Sequence, residues 1–282
     1  RSAQAPQKLS MSRLPDSLLD ACRCDPAAPF AQDPARDFGL DKQTAKLALA
    51  ELRPWLNQQQ RMLWANRRNA LLLILQGTDC SGKDGVIRRV ISSFDPQGLR
   101  IHSFQKPDAC EQRHDFLWRY QRRLPGLGLL GVFNRSYYEG LISDPLDGLC
   151  SAAELPARQL AIHAFEAQLI SQSIQPLKCF LQLSRDEQKH RLQERLEKPH
   201  KRWKLHSSDL QSYREFDLRQ QRWAEQLAAS HSDAAPWYVI PADHRWLRDW
   251  LVASLLAREL ERLKLDWPDT PPPFSLEDLQ RS

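Results

Sequence analysis

The sequence predicts an α/β fold in which helices cover both faces of a five-stranded parallel sheet. Three observations support this fold class. Short apolar runs alternate with segments of helical periodicity, which is the pattern of parallel strands joined by crossover helices. The first of these runs, residues 70–76, leads directly into a glycine-rich loop. With 282 residues, of which 41% are hydrophobic, the chain is long enough to bury one large core without disulfide bonds.

The predicted elements follow one another from a first helix over residues 41–67. Apolar runs predict five strands, at residues 70–76, 99–104, 131–134, 178–183 and 237–240. Helical spacing predicts further helices near residues 84–94, 110–123, 154–173, 185–198, 207–229 and 243–263. In such a sheet, ligands bind beyond the carboxyl ends of the strands. We therefore expect a site where the segments after residues 76 and 134 meet.

Both ends of the chain are predicted to be peripheral. Residues 1–40 contain five prolines and show no clear periodicity, which predicts a partly disordered N-terminal arm. Residues 269–282 form a proline-containing tail. The remaining residues, 41–268, are predicted to form one domain without internal repeats.

The loop after the first strand, residues 77–85 (GTDCSGKDG), fits the pattern Gly-x-x-x-x-Gly-Lys. Glycines in this pattern allow backbone N–H groups to face phosphate oxygens, and the lysine adds a positive charge. The pattern predicts phosphoryl transfer, whereas the alternative is a tight turn without a ligand. The candidate phosphate-binding residues of this region are Gly77, Ser81, Gly82, Lys83, Asp84 and Gly85, with Arg88 in the helix that follows.

The carboxylate of Asp79 lies inside this loop, and Asp84 stands where such loops commonly have Ser or Thr as a magnesium ligand. A carboxylate facing phosphate is repelled unless a divalent cation lies between the two. Asp79 is therefore a candidate metal ligand, with Mg²⁺ as the expected cofactor. The alternative role for Asp79 is to cap the following helix.

A second polar segment, residues 131–139 (GVFNRSYYE), follows another apolar strand. It places Asn134, Arg135 and Glu139 at the same edge of the predicted sheet. Arg135 is a candidate for neutralising charge on a transferring phosphoryl group, and Glu139 for contacting a metal or nucleotide. The alternative is a surface Arg–Glu ion pair, which the position after a core strand disfavours.

A third feature is a basic segment after the fourth predicted strand. Arg191, Arg195 and Lys198 share one helix face, and the loop HKRWK at residues 200–204 adds Lys201, Arg202 and Lys204. Two helices joined by a basic loop describe the lid of a phosphate-transferring enzyme, here expected at about residues 186–229. The alternative is a solvated helix face paired with Glu194 and Glu197.

Composition excludes several classes of protein. No stretch approaches the roughly 20 apolar residues of a membrane span, and the first ten residues lack a signal peptide's apolar core, so we expect a cytoplasmic protein without a membrane partner. The six cysteines lack zinc-type spacing and are expected to be reduced thiols. A net charge of +5 favours anionic partners. Nucleic-acid binding is the remote alternative, disfavoured because most tryptophans lie in apolar helix contexts.

At the level of whole motifs, the chain resembles the polyphosphate kinase 2 family from about Lys42 to Pro268. The resemblance lies in residues 77–85, 95–98, 114–119, 133–139, 199–204 and 236–244. It implies a P-loop kinase-like three-layer sandwich with a helical lid, which moves phosphoryl groups between inorganic polyphosphate and purine nucleotides. The form of residues 134–139 resembles the subgroup that acts on both nucleoside mono- and diphosphates.

The resemblance also implies site residues and assembly. The working residues that it implies are Asp79, Lys83, Asn134, Arg135, Lys201, Arg202 and Lys204, and it implies homodimers or homotetramers. The chain departs from the family pattern at residues 140–145, where we expect a turn, and at Leu218-Arg219, where a carboxylate is replaced by a cation. The nearest alternative function is an ATP-dependent nucleoside monophosphate kinase, because its loop, lid and sheet would have the same sequence signals.

Overall fold

The computed structural model describes residues 12–281. In this range five strands form one sheet: β1 (Ala70–Gly77), β2 (Leu99–Ser103), β3 (Leu130–Asn134), β4 (Ile174–Gln182) and β5 (Trp237–Pro241). All pairs are parallel and the spatial order is β2-β3-β1-β4-β5. The predicted fold class is confirmed. The predicted strand at residues 178–183 begins earlier than expected, because Ile174 and Gln175 already pair with β1.

The helices of the described range are α1 (Asp16–Ala21), α2 (Lys42–Asn66), α3 (Lys83–Arg89), α4 (Trp118–Gln121), α5 (Glu139–Leu146), α6 (Leu155–Ser171), α7 (Arg185–Glu197), α8 (Ser207–Arg214), α9 (Phe216–Ser230), α10 (Arg245–Arg262) and α11 (Leu276–Arg281). Asp41 caps α2 by accepting hydrogen bonds from the backbone N–H groups of Gln43 and Thr44. Short 3₁₀ turns at residues 91–93, 96–98, 111–113, 152–154 and 199–204 complete the connections.

The sheet separates two cores, which makes the three layers. On one face, alternate strand residues such as Leu71, Leu73 and Leu75 pack with α2, α3 and α10. On the other face, Leu72 and Ile74 pack with α5, α6 and α9. This alternation follows from the two-residue period of a strand, which sends successive side chains to opposite faces. The central strand β1 is therefore apolar on both sides and reads as an unbroken hydrophobic run.

Three predicted helices differ from the observed elements. Residues 110–123 contain only a 3₁₀ turn and the four-residue α4 rather than one helix, because side chains such as Asp108 and Asp115 bond nearby backbone N–H groups and favour turns. The helix predicted at 84–94 ends at Arg89 and continues as a 3₁₀ turn. The predicted helix at 207–229 is divided at Glu215 into α8 and α9.

The turn expected at residues 140–145 is wrong, since this segment lies within helix α5. Pro145 is the seventh residue of α5, close to its C-terminal end, so the helix is short rather than interrupted. Gly140 packs tightly here: a Cβ at this position would lie 2.6 Å from the ring of Phe116.

The described part of the predicted N-terminal arm is anchored to the sheet. Cys24 N–H donates to Trp237 O (2.9 Å), and Val239 N–H donates to Cys22 O (2.7 Å), so this segment adds to the edge of β5. Leu19 of α1 is fully buried. Residues 1–11 lie outside the described range. Residues 269–281 are exposed along their length, with α11 near their end.

Candidate active site

The phosphate loop, residues 77–83, runs from the end of β1 to the start of α3. Two of its glycines are required by geometry. Gly77 has φ of +144°, and a Cβ there would lie 2.6 Å from Leu181 O. Gly82 has φ of +101°, and a Cβ there would overlap the guanidinium of Arg248. Any side chain at either position would distort the loop.

The carbonyl oxygens of the loop are bound one after another by buried side chains. Lys83 Nζ donates to Gly77 O (2.8 Å) and Thr78 O (3.2 Å). The next three carbonyls, Asp79 O, Cys80 O and Ser81 O, accept from Gln188 (3.1 Å), Arg191 (3.0 Å to Cys80 O) and Arg248 (3.1 Å to Ser81 O). With its acceptors occupied, the loop can offer its N–H groups as donors to an anion.

Arg191 and Arg248 were not identified as loop supports by sequence reasoning. Arg191 was predicted to lie on the basic face of the lid, but it is 4% exposed and also donates to Ala242 O (2.7 Å) and Asp243 O (2.8 Å). Arg248 is 1% exposed and pairs with its neighbour Asp249. Burial lowers the pKa of Arg248 to about 10, so it remains charged at neutral pH. The sequence signal that could have identified Arg248 is the adjacent pair Arg248-Asp249 within a largely apolar stretch of α10.

The second predicted segment meets the loop as expected. Asn134 is in register with Leu75 of β1, and Arg135 N–H donates to Leu75 O (3.0 Å). The side chain of Asn134 donates to Asp84 Oδ1 (2.7 Å), and Arg135 Nη2 donates to Asp79 Oδ1 (2.9 Å). The structure therefore brings together Asp79, Lys83, Asp84, Asn134 and Arg135.

The charges of this cluster shift one another's pKa values. Burial alone would raise the pKa of Asp79, but the charges of Arg135 and Lys83 outweigh burial and hold the pKa below its ordinary value. Burial and the nearby Arg135 lower the pKa of Lys83, against the opposing effect of Asp79 and Glu139. Glu139 is the largest cause of a raised pKa at Arg135. The Glu139 carboxylate also accepts a hydrogen bond from Ser143 one turn along α5.

The lid segment, residues 185–230, contacts the loop through fewer residues than predicted. Gln188 and Arg191 of α7 reach the loop carbonyls, and Ser212 and Arg219 contribute to the lowered pKa of Asp79. Arg195 lies 3.7 Å from Asp209. Arg219, at the departure from the family pattern, pairs with Glu215 at 2.9 Å.

The other predicted phosphate-binding cations are engaged within the lid segment or face solvent. Lys201 pairs with Glu194 (2.7 Å), Arg202 Nε donates to Leu196 O (2.8 Å), and Lys204 Nζ lies 5.0 Å from the ring centre of Trp203. Arg88 is exposed on α3 and has no ion pair with any described residue. The structure does not bring these four cations to the loop, and their role in phosphate binding stays a prediction.

Two buried hydroxyl groups of the loop are available to hydrogen-bond a ligand. Thr78 Oγ1 and Ser81 Oγ have no hydrogen-bond partner among the described residues, although buried polar atoms are normally paired. Within residues 12–281, no group of three His, Cys, Asp or Glu side chains could hold a metal by itself. Mg²⁺ needs only one or two carboxylates when substrate phosphates complete its shell, and Asp79 and Asp84 meet that requirement.

Comparison with known proteins identifies the family. Polyphosphate kinase 2 (PPK2) matches residues 39–266. The chain belongs to the polyphosphate kinase 2 family. The AMP/ADP-polyphosphate phosphotransferase of Meiothermus ruber is 38% identical over 254 residues, which cover 90% of this chain and 93% of that protein. The ADP-polyphosphate phosphotransferase of Rhodopseudomonas palustris is 38% identical over 237 residues, covering 80% and 82%.

A solved structure supports the same assignment. The crystal structure of polyphosphate kinase 2 from Arthrobacter aurescens TC1 superimposes with a TM-score of 0.87 and 34% sequence identity, over 93% of this chain and 94% of that one. This polyphosphate kinase 2 member therefore has the family fold over nearly its whole length. No helix in the described residues is both long and apolar enough to cross a membrane.

Proposed function

We propose that this polyphosphate kinase 2 member transfers a phosphoryl group between inorganic polyphosphate and AMP or ADP, or the corresponding guanine nucleotides. The observation that supports this most is the convergence of Lys83, Arg135 and Asp79 at a phosphate loop whose carbonyls from Gly77 to Ser81 are bound by side chains. Relatives named as AMP/ADP- and ADP-polyphosphate phosphotransferases agree with this proposal.

The proposed step is an in-line displacement. A terminal phosphate oxygen of the nucleotide attacks the terminal phosphorus of the polymer, forming one P–O bond as the bridging P–O bond breaks. The polymer leaves one phosphate shorter, and the nucleotide gains one. Because the attacking oxygen is already ionised near neutral pH, no general base is required.

The chain's own cations are suited to stabilise this step. In the described structure Lys83 donates to the loop carbonyls, and a phosphate oxygen can take their place as acceptor. The backbone of Arg135 is in the left-handed conformation, with φ of +66°, and its guanidinium is held at the loop by the hydrogen bond to Asp79. Both groups then face the negative charge that spreads over the equatorial oxygens.

Asp79 and Asp84 are the residues proposed to hold Mg²⁺. The ion would neutralise charge between the carboxylates and the phosphates. Asn134 orients Asp84 by its 2.7 Å hydrogen bond, and Arg135 orients Asp79. A hydrogen-bond donor on one oxygen of each carboxylate fixes its orientation, and the second oxygen of each group would be available to the metal.

The decisive experiment supplies the protein with Mg²⁺ and AMP or ADP, and compares polyphosphate with ATP as donor. We expect ADP or ATP to appear with polyphosphate. Transfer from ATP to AMP with no transfer from polyphosphate would show instead that the protein is a nucleoside monophosphate kinase. Lys83→Ala should abolish the product, whereas Lys264→Ala, an exposed lysine after α10, should not change it.

Assembly and location stay predictions. The family resemblance implies a homodimer or homotetramer, which light scattering measures directly. A cytoplasmic location is tested by cell fractionation.

A further inference from the structure

A groove separate from the phosphate loop lies between α2 and the N-terminal end of α10. Its volume is about 730 Å³, within the usual range for small-molecule sites. The residues that line it are Lys42, Ala45, Lys46, Leu49, Arg53, Arg89, Asp243, His244, Arg245, Trp246 and Asp249. None of them belongs to the predicted active site. We refer to this feature as the α2–α10 groove.

A stripe of cations follows one face of α2 into the groove. Lys42, Lys46, Leu49 and Arg53 are spaced by four, three and four residues, which places them on one helix face. Lys42 and Lys46 are exposed and form no ion pair with any residue in the described range. Like charges at this spacing are unfavourable unless an anion lies between them. The two lysines of this stripe therefore lack a counter-charge among the described residues, and an anionic ligand could supply it.

The opposite wall adds two more cations. Arg89 comes from α3 and Arg245 from the start of α10, and each retains donors beyond the one ion pair that it makes, with Asp249 and with Glu194 respectively. Arg53 Nη2 donates to Arg89 O, while its Nε is buried without a partner among the described residues. A buried guanidinium N–H without an acceptor indicates a missing partner.

The two carboxylates of the groove are already engaged. Asp249 accepts from Arg89 through one oxygen and from Arg248 through the other. Asp243 accepts from the backbone N–H of Ser184 at 2.9 Å. Five cations (Lys42, Lys46, Arg53, Arg89 and Arg245) thus line the groove against two carboxylates, one of which, Asp249, is paired with Arg89. The groove therefore keeps an excess of positive charge, and its ligand should be an anion.

The aromatic and apolar residues of the groove indicate which other chemical groups the ligand carries. His244 and Trp246 are stacked with ring centres 5.6 Å apart, and Ala45 and Leu49 supply an apolar wall. Several cations at fixed spacing match successive phosphates of one chain, because a phosphate chain can be held only through repeated cations and N–H groups. A flat aromatic surface next to them suits a nucleobase.

We propose that the α2–α10 groove is a second binding site for an oligophosphate chain, carried either by a nucleotide or by polyphosphate. The site is distinct from the loop that performs transfer. Its occupation needs no catalysis, so its test can be separated from the test of the proposed function.

The experiment is isothermal titration calorimetry of the whole protein with Mg²⁺ and tripolyphosphate, without any acceptor, and in a parallel arm with ADP. The variant is Lys42→Glu/Lys46→Glu. The control is Arg68→Glu/Lys264→Glu, which changes the net charge equally through two exposed residues outside the groove. We expect the groove variant to lose one site per chain, or at least 10-fold in affinity at that site, while the control matches the wild type.

The two ligand sources are separated by Trp246→Leu. If a nucleotide is the ligand, this variant weakens ADP binding at the groove but leaves tripolyphosphate unchanged. If polyphosphate is the ligand, neither titration responds to Trp246→Leu, while both respond to the lysine variant. Equal numbers of sites and affinities in the groove variant and the wild type would overturn the proposal, as would an equal loss in the control. Lys42→Ala/Lys46→Ala provides a milder second variant, and thermal unfolding verifies that each variant folds.

Discussion

Arg135 and Asp79 are joined by a 2.9 Å hydrogen bond that ties the end of β3 to the loop after β1. The two residues are separated by 56 positions in the sequence, yet they meet because their strands are neighbours in the sheet. This pair places a guanidinium and a carboxylate side by side at the loop. Removing either one should therefore affect chemistry more than folding.

Arg135→Ala is expected to lower kcat by about 10²–10³-fold, since one donor to transition-state charge is lost. KM should change much less, because Lys83 and the loop still bind phosphate. Steady-state kinetics with polyphosphate and ADP provide the measurement. Arg68→Ala, an exposed arginine before β1, should match the wild type. An Arg135→Ala enzyme with wild-type kcat would show that Arg135 does not act in the reaction.

Arg191→Met should destabilise the fold by about 3–5 kcal/mol, because it leaves several buried carbonyls and Glu187 without their cationic partner. Urea unfolding gives the free energy. Arg185→Met on the same helix removes an exposed pair with Asp217 and a contact of the half-exposed guanidinium with the ring of Tyr213, so its cost should be about 1 kcal/mol. Similar losses in the two variants would contradict the assignment of Arg191 as the support of the loop.

Lys178 and Glu166 form a buried pair behind the active site. Lys178 Nζ, fully buried, donates to Glu166 Oε2 (2.9 Å) and to Ser230 O (2.9 Å), while Glu166 accepts from Tyr137 and Tyr138 (both 2.7 Å). Lys178→Met should cost about 3–5 kcal/mol of unfolding free energy, since it leaves a buried carboxylate without a counter-charge. Adding Glu166→Gln should restore part of that loss.

The double-mutant cycle measures this coupling directly. We expect an interaction energy of about 1–3 kcal/mol between the two sites. Strictly additive losses would mean that Lys178 and Glu166 do not stabilise each other.

Acid should weaken the contribution of Asp79 to stability. Its pKa in the folded protein lies below the ordinary value of 3.8, so the folded state favours the ionised carboxylate. The resulting stabilisation is fully present above the unfolded-state pKa and is lost as the pH falls through the lowered folded-state pKa. The difference in unfolding free energy between the wild type and Asp79→Asn should therefore be constant from pH 7 to 5 and shrink below about pH 4. Urea unfolding of both proteins at each pH measures this difference. A difference that grows as the pH falls would contradict a lowered pKa of Asp79 in the folded state.

The sequence predicted the sheet better than it predicted the connections. The strand runs are long and apolar because β1, β3 and β4 are buried on both faces. Such runs can be recognised in the sequence without knowing which strands are neighbours in the sheet. The segment at residues 110–123 failed because side-chain-to-backbone hydrogen bonds compete with helix formation there. The helix at residues 139–146 was missed because a proline near its end was interpreted as a turn.

Within the site, local motifs identified what lies close in sequence to the loop. Asp79, Lys83 and Arg135 were predicted from the loop pattern and from the strand before Arg135. Arg191 and Arg248 were missed because their role depends on contacts 110 and 167 residues away from Ser81, which no local pattern contains. Charged residues on a helix are more often solvated, and only tertiary packing shows that these two are buried.

Arg191 and Arg248, which donate to the loop carbonyls, are translated after the loop itself. Residues 77–83 are translated well before Arg191 and Arg248, which follow Ser81 by 110 and 167 residues. Until then the loop lacks the donors that bind its carbonyls. A chain that ends before residue 245 lacks Arg248 and the helix α10 that carries it, so the loop carbonyl Ser81 O is left without this donor until α10 has been made.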